Sequence, residues 1–255
     1  MKIGIIQGRL SPPIEGFQDT PTDWQREFNL LPKLGLNHIE WIVTKESFDN
    51  NPIFTEELND YSISSICADN LVDERISETD FLEENLNPIC KAAIKNKIKT
   101  ITIPILEDSN LSNWKKREKF TLEMQEFSQR YKKLNFSFEI EDQMDVIADI
   151  IYMGENFYLT YDTGNMTTVG ADHEVYLHMF IEKINNVHLK DRNLENQTVE
   201  PLTGATDFVK IFDKLSELGY NGLYTLQTAR EDAGMEEETI NKHINKFKEL
   251  YNERT

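Results

Sequence analysis

The sequence predicts an α/β fold, a single (β/α)8 TIM barrel domain spanning residues 1–255. Three observations lead there. Eight short runs rich in Ile, Val, Phe and Tyr alternate with helical stretches, as buried parallel strands separated by covering helices should. The length of 255 residues matches the roughly 250 residues of one such barrel. The loop after the first run, Gln7-Gly8-Arg9-Leu10-Ser11-Pro12-Pro13, has no second glycine at the offset a dinucleotide-binding open sheet requires.

The strand candidates are Lys2 to Gln7, His38 to Val43, Ser62 to Cys67, Lys99 to Pro104, Asn135 to Ile140, Phe157 to Asp162, Ile184 to Leu189 and Gly222 to Gln227. Helical patterns cover Asp23 to Leu34, Asp80 to Lys97, Asn113 to Leu134, Asp142 to Tyr152, Asp172 to Ile184, Asp207 to Leu218 and Glu236 to Tyr251, with a short, weak one around Ile53 to Asp60. Several start on Asp or Asn, which accept hydrogen bonds from free helical amides, and two stop before Gly35 and Gly219. Pro32 is expected to kink or shorten the first helix.

Charge narrows the function. With 27 basic against 45 acidic residues and a formal charge of -18, the chain repels nucleic acid and anionic membrane. No apolar run approaches the roughly 18 residues of a membrane span, and the opening residues read as a buried strand rather than a signal peptide, so a cytoplasmic chain is expected. Cys67 and Cys90 read as two buried thiols, not a disulfide framework.

Chemistry gathers at strand ends in the second half. Glu139, Asp162, His188 and Gln227 each close a β-like run, spaced by 23, 26 and 39 residues, about one β/α unit per step. Loops leaving the carboxyl ends of parallel strands converge on one face, so the four read as the rim of a divalent-metal site. One strand-end carboxylate alone is as readily a helix cap; it is the set with His188 that favours metal. Arg9, Lys190 and Arg192 can offer cationic donors to substrate oxygens or a phosphate. Glu40, Trp41, Asp69, Glu141 and Asn165 are further candidates to line the mouth. Trp41 is weighed equally as a ligand-stacking and as a packing residue, and Glu40 equally as a buried structural acid. His38, His173, His178 and His243 read as surface or packing residues, the acidic segment from Glu231 to Glu238 as a solvated loop, and Asp191 as a residue that orients its neighbours or caps the loop.

The chain resembles the sugar phosphate isomerase/epimerase family, the xylose isomerase-like TIM barrels that include ketose 3-epimerases. The resemblance is carried by residues 3–12, Gly35 to Trp41, Phe138-Glu139, Tyr161-Asp162-Thr163-Gly164-Asn165, Val187 to Arg192 and Gly219 to Gly222. It implies one divalent ion, Mn²⁺, Co²⁺, Mg²⁺ or Zn²⁺, held by Glu, Asp, His and Glu. In this chain the first three are Glu139, Asp162 and His188. The fourth falls on Gln227, and Asn165 stands where many similar proteins have His. A ligand set of oxygens with one imidazole leans toward Mn²⁺.

The implied chemistry is isomerisation or epimerisation of a small keto sugar or sugar phosphate through an enediolate, with Glu139 as base. Gln227 can offer a carbonyl oxygen to a cation but cannot take up a proton, so a two-carboxylate mechanism is incomplete. Two alternatives follow: a dehydratase or lyase of the same enolising type, which needs one strong base, or a noncatalytic sugar-binding relative. A small-molecule partner, no nucleic acid or membrane partner, and a homodimer are expected. The similar apurinic endonucleases need more histidine ligands and a basic face, which this acidic chain lacks.

Overall fold

The computed structural model describes residues 1–14 and 20–253. In chain order it has β1 (Lys2–Ile6), α1 (Trp24–Leu34), β2 (Ile39–Ile42), α2 (Pro52–Thr55), β3 (Ile63–Cys67), α3 (Thr79–Asn85), α4 (Asn87–Lys95), β4 (Thr100–Ile105), α5 (Trp114–Gln129), β5 (Asn135–Ile140), α6 (Met144–Ile151), β6 (Phe157–Asp162), α7 (Thr163–Thr168), α8 (His173–Phe180), β7 (Ile184–Leu189), β8 (Asp191–Arg192), β9 (Thr198–Val199), α9 (Phe208–Glu217), β10 (Leu223–Leu226) and α10 (Glu236–Asn252). Eight strands form a closed barrel in the order β1-β10-β7-β6-β5-β4-β3-β2. Pairing is parallel between β1 and β10, between β10 and β7, and from β2 through β6. The predicted (β/α)8 TIM barrel is thus the observed fold. The strands β8 and β9 form a separate antiparallel hairpin.

Two compact units make up the chain, residues 39–160 and residues 1–38 with 161–255. In the 39–160 unit, alternation along β5 sorts its side chains. Phe136 and Phe138 join Phe120, Phe127 and Phe157 in an edge-to-face cluster beneath α5. Ser137 and Glu139 therefore take the other face, where the Ser137 hydroxyl lies 2.7 Å from that of Thr160. The stretch predicted as one helix from Asp80 to Lys97 is broken at Leu86 into α3 and α4. Pro88, in the first turn of α4, has no N–H to continue α3 and its ring would strike the preceding turn.

In the other unit, Tyr224 of β10 packs outward with Phe212, Tyr220 and Tyr251. Its neighbour Thr225 faces the opposite way, within 3.3 Å of His38 Nε2, and donates to Asn186 Oδ1 at 3.0 Å. Thr225 is the register partner of His188, which places the imidazole on that same face. Pro32 does not shorten α1, which runs on to Leu34 and ends at Gly35 with φ 65°, a left-handed conformation that favours glycine. Pro32 forfeits one N–H of the last turn, but the helix still closes over Lys33 and Leu34.

Cys67 and Cys90 are buried free thiols, as expected. Among the described residues no helix is long and apolar enough to cross a membrane.

Candidate metal site

Asp162 ends β6 and caps α7: its Oδ1 accepts the Asn165 N–H at 2.7 Å. Its Oδ2 lies 2.9 Å from Lys190 Nζ, with both side chains almost fully buried. Burial alone would push this carboxyl up, but the Lys190 ammonium, His188 and the Asn165 N–H outweigh it and hold Asp162 below its usual value. Lys190 Nζ is also 3.3 Å from Asn165 Oδ1.

The main chain on either side is stitched down by Thr163. Its hydroxyl accepts the Lys190 N–H at 3.0 Å and lies 2.7 and 3.1 Å from the carbonyl oxygens of Lys190 and His188. Gly164 lies close under these side chains: a Cβ there would stand 3.0 Å from Lys190 Cγ and 3.1 Å from Arg192 Cγ, so their stems would have to give by a few tenths of an ångström. His188 is fully buried in β7. Gln227 follows β10, is buried, and donates its backbone N–H to Leu189 O at 3.2 Å.

In the 39–160 unit, Glu139 is buried on β5 opposite Pro104 of β4. Glu40 is fully buried and accepts from the Thr102 hydroxyl at 2.5 Å. Asp69, just after β3, is pushed up to about 6, first by burial and then by the Glu139 carboxylate. Trp41 is packed: it is fully buried and donates its indole N–H to Asn51 at 2.8 Å.

One ligating atom each of Glu139, Asp162 and His188 lies within 4.8 Å of the other two, and all three residues are buried. Two carboxylates and an imidazole form a donor set that suits a divalent cation. The residues present therefore fit the ion that the sequence suggested.

Residues 119–250, just over half of the chain, match the family model described as a xylose isomerase-like TIM barrel. The chain belongs to that family. The matched span contains Glu139, Asp162, His188 and Gln227. Among the xylose isomerase-like relatives, the chain is 31% identical over 93 residues to the inosose dehydratase of Geobacillus thermodenitrificans (strain NG80-2), covering 29% of this chain and 31% of the relative. The chain thus matches under a third of that curated relative's length. Two solved structures show the same fold: the IolI protein with a bound zinc atom, at TM-score 0.79 and 14% identity over 100% of this chain and 99% of that one, and 3-keto-D-glucoside 4-epimerase YcjR from E. coli, at 0.72 and 17% over 98% and 99%. The sequence relative is thus named as a dehydratase, and one of the two structures of the same fold as an epimerase.

The remaining residues fall into place separately. Arg9 is buried and lines a small cavity with Pro13, Ala229 and Arg230. Arg192 lies in the β8–β9 hairpin, hydrogen-bonded to Asn196. Asp191 caps the loop, the second of its two expected roles, accepting the backbone N–H groups of Thr203, Gly204 and Thr206. Of the histidines, His178 is exposed, His38 is a buried packing residue, and His243 is fully buried between Thr228 and Glu231.

Glu27 was not foreseen. It is buried on α1 and accepts from Gly8 N at 2.9 Å, Leu10 N at 3.1 Å and the Ser11 hydroxyl at 2.8 Å, holding the loop that carries Arg9. Arg230 grips the same loop through the carbonyls of Gly8 and Ser11. The signal was present in the sequence: Glu27 sits three residues after Trp24 and four before Leu31, on the apolar stripe of the helix.

Proposed function

We propose that this chain is a divalent-metal-dependent isomerase or epimerase acting beside the carbonyl of a small keto sugar or sugar phosphate. The observation that carries the reading is the buried grouping of Glu139, Asp162 and His188. An ion bound there would polarise the substrate carbonyl and stabilise the negative charge that develops as the neighbouring C–H proton leaves. Glu139 takes that proton; isomerisation returns it from the same face to the neighbouring carbon, whereas epimerisation needs a proton delivered to the opposite face by water or another residue. Asp162 and His188 hold the ion, and Gln227 adds an amide oxygen, which cannot carry a proton. Arg192 supplies a cationic donor for substrate oxygens, while the Lys190 ammonium is engaged by Asp162. The ligand types favour Mn²⁺, with Co²⁺, Mg²⁺ and Zn²⁺ as alternatives.

A second reading is favoured by two specific observations, the amide at Gln227 and the similarity to an inosose dehydratase. In that reading Glu139 abstracts the proton and the substrate then loses a β-hydroxyl as water, which needs only one strong base.

One experiment separates these readings. The Mn²⁺-loaded protein is incubated with a panel of ketoses, ketose phosphates and cyclic keto-sugars in heavy water, followed by NMR and mass spectrometry. Deuterium incorporation without loss of water identifies an isomerase or epimerase; loss of one water identifies a dehydratase. Glu139→Gln should abolish either signal while leaving the circular dichroism unchanged. Turnover persisting in that variant removes Glu139 as the base, and binding of a sugar with neither signal leaves a noncatalytic binding protein.

A further inference from the structure

We propose that Lys190 competes with the divalent ion for Asp162 and thereby sets how tightly the site takes metal. The inference rests on the reading of Asp162 as a metal ligand and goes beyond it, because it assigns to Lys190 a function toward the ion rather than toward substrate.

The two oxygens of Asp162 are already divided. Oδ1 accepts the Asn165 N–H at 2.7 Å and belongs to the α7 cap. Oδ2 faces the Lys190 ammonium at 2.9 Å, in surroundings that leave the two side chains 5% and 1% exposed. Oδ2, which carries no bond of the cap, is therefore the oxygen best placed to ligate a cation. A cation there must share that oxygen with an ammonium or displace it. Two positive charges on one buried oxygen repel strongly, since water screens little there.

Lys190 is also built into its place. Its peptide group is fastened to the Thr163 hydroxyl through both N–H and C=O. Its stem crosses Gly164, where an added Cβ would stand 3.0 Å from Cγ and 3.1 Å from Cδ. The ammonium can leave Oδ2 only by turning its last torsions, and Asn165 Oδ1, 3.3 Å away, is a neutral acceptor to which it can turn. This arrangement has a physical rationale: an unpaired carboxylate at this depth would be costly, so Lys190 neutralises Asp162 whenever no ion does.

The test uses the full chain stripped with a chelator, in wild-type form and as Lys190→Met and Gly164→Ala. Methionine keeps an apolar stem of similar length and removes the charge; the alanine methyl keeps the charge but crowds the stem away from its track. Mn²⁺ affinity is measured by titration calorimetry, and thermal unfolding is followed with and without Mn²⁺. Lys190→Met should bind Mn²⁺ at least roughly tenfold more tightly, the effect of removing one close positive charge from a poorly screened site. It should also melt lower without metal, so that its rise in Tm on adding Mn²⁺ exceeds that of the wild type. Gly164→Ala should shift affinity the same way by a smaller factor, and it decides the matter if Lys190→Met does not fold.

A purely structural lysine would lower the metal-free Tm and leave the Kd unchanged. An unchanged or weaker Kd, with the wild type binding Mn²⁺, overturns the competition and leaves the metal site standing. If neither the wild type nor any variant binds Mn²⁺, Asp162 is not a metal ligand and both readings fall.

Discussion

Replacing Glu27 with alanine removes the acceptor of two backbone N–H groups and one hydroxyl in a buried setting. A buried donor left without its acceptor costs about 1–3 kcal/mol. Three such losses, partly recovered as water enters the space, come to about 3–5 kcal/mol. For a chain of this length each kcal/mol moves Tm by roughly 2–4 °C, so a fall on the order of 10 °C is expected. Glu27→Gln keeps one acceptor oxygen and should lose only about 1–2 kcal/mol.

The pH dependence has a definite sign. Burial pushes the Glu27 carboxyl up, and the Gly8 N–H, the Ser11 hydroxyl, the Leu10 N–H and Arg230 only partly offset it. A folded-state pKa above the unfolded one gives stability that is full below the unfolded value and is lost as pH rises through the folded value. The advantage of the wild type over Glu27→Gln should therefore shrink as pH rises from the acid side through that window. Thermal and urea unfolding by circular dichroism across pH measure both effects. A Glu27→Ala variant within about 1 kcal/mol of wild type would refute the view that this carboxylate anchors the first loop.

Two further outcomes follow from the site and its surroundings. Gln227→Glu adds a third carboxylate to the ligand group and should tighten Mn²⁺ binding roughly tenfold by calorimetry; unchanged or weaker binding means the side chain does not touch the ion. Asp191→Ala strands the N–H groups of Thr203, Gly204 and Thr206 and should cost about 2–4 kcal/mol, with faster proteolytic cleavage between residues 192 and 206; unaltered cleavage would show that the segment is held by other contacts.

The barrel was legible because its signal is carried by pattern. Asn135–Ile140, Phe157–Asp162 and Ile184–Leu189 are strands with the limits their apolar runs suggested, since apolar residues at alternate positions along them pack outward, Phe136 and Phe138, Phe157, Leu159 and Tyr161, Val187 and Leu189. The short helix α7 was missed because Thr163-Gly164-Asn165-Met166-Thr167-Thr168 has no amphipathic period; it forms because Asp162 caps it. The β8–β9 hairpin has no counterpart among the strands expected from the sequence. It depends on Asp191, which gathers N–H groups 12 to 15 residues away, and such a contact leaves no local pattern.

The candidate site was legible in its residue types and strand-end positions, but not in its partners. Lys190 was expected to face substrate, and its ion pair with Asp162 depends on where β6 and β7 bring their ends. Trp41 could not be divided between stacking and packing from the sequence, because the choice turns on Asn51, ten residues along the chain. Glu27 was passed over because a helical glutamate is usually solvated; only its place on the apolar stripe, beneath a loop with bare N–H groups, marks it.

The central claim is that Glu139, Asp162 and His188 hold one divalent ion. Elemental analysis of the purified protein after incubation with Mn²⁺ and desalting, with His188→Ala as control, tests it most directly. About one ion per chain, lost in the control, is the result this account predicts. No retained ion in the wild type, or equal retention in the control, would contradict it.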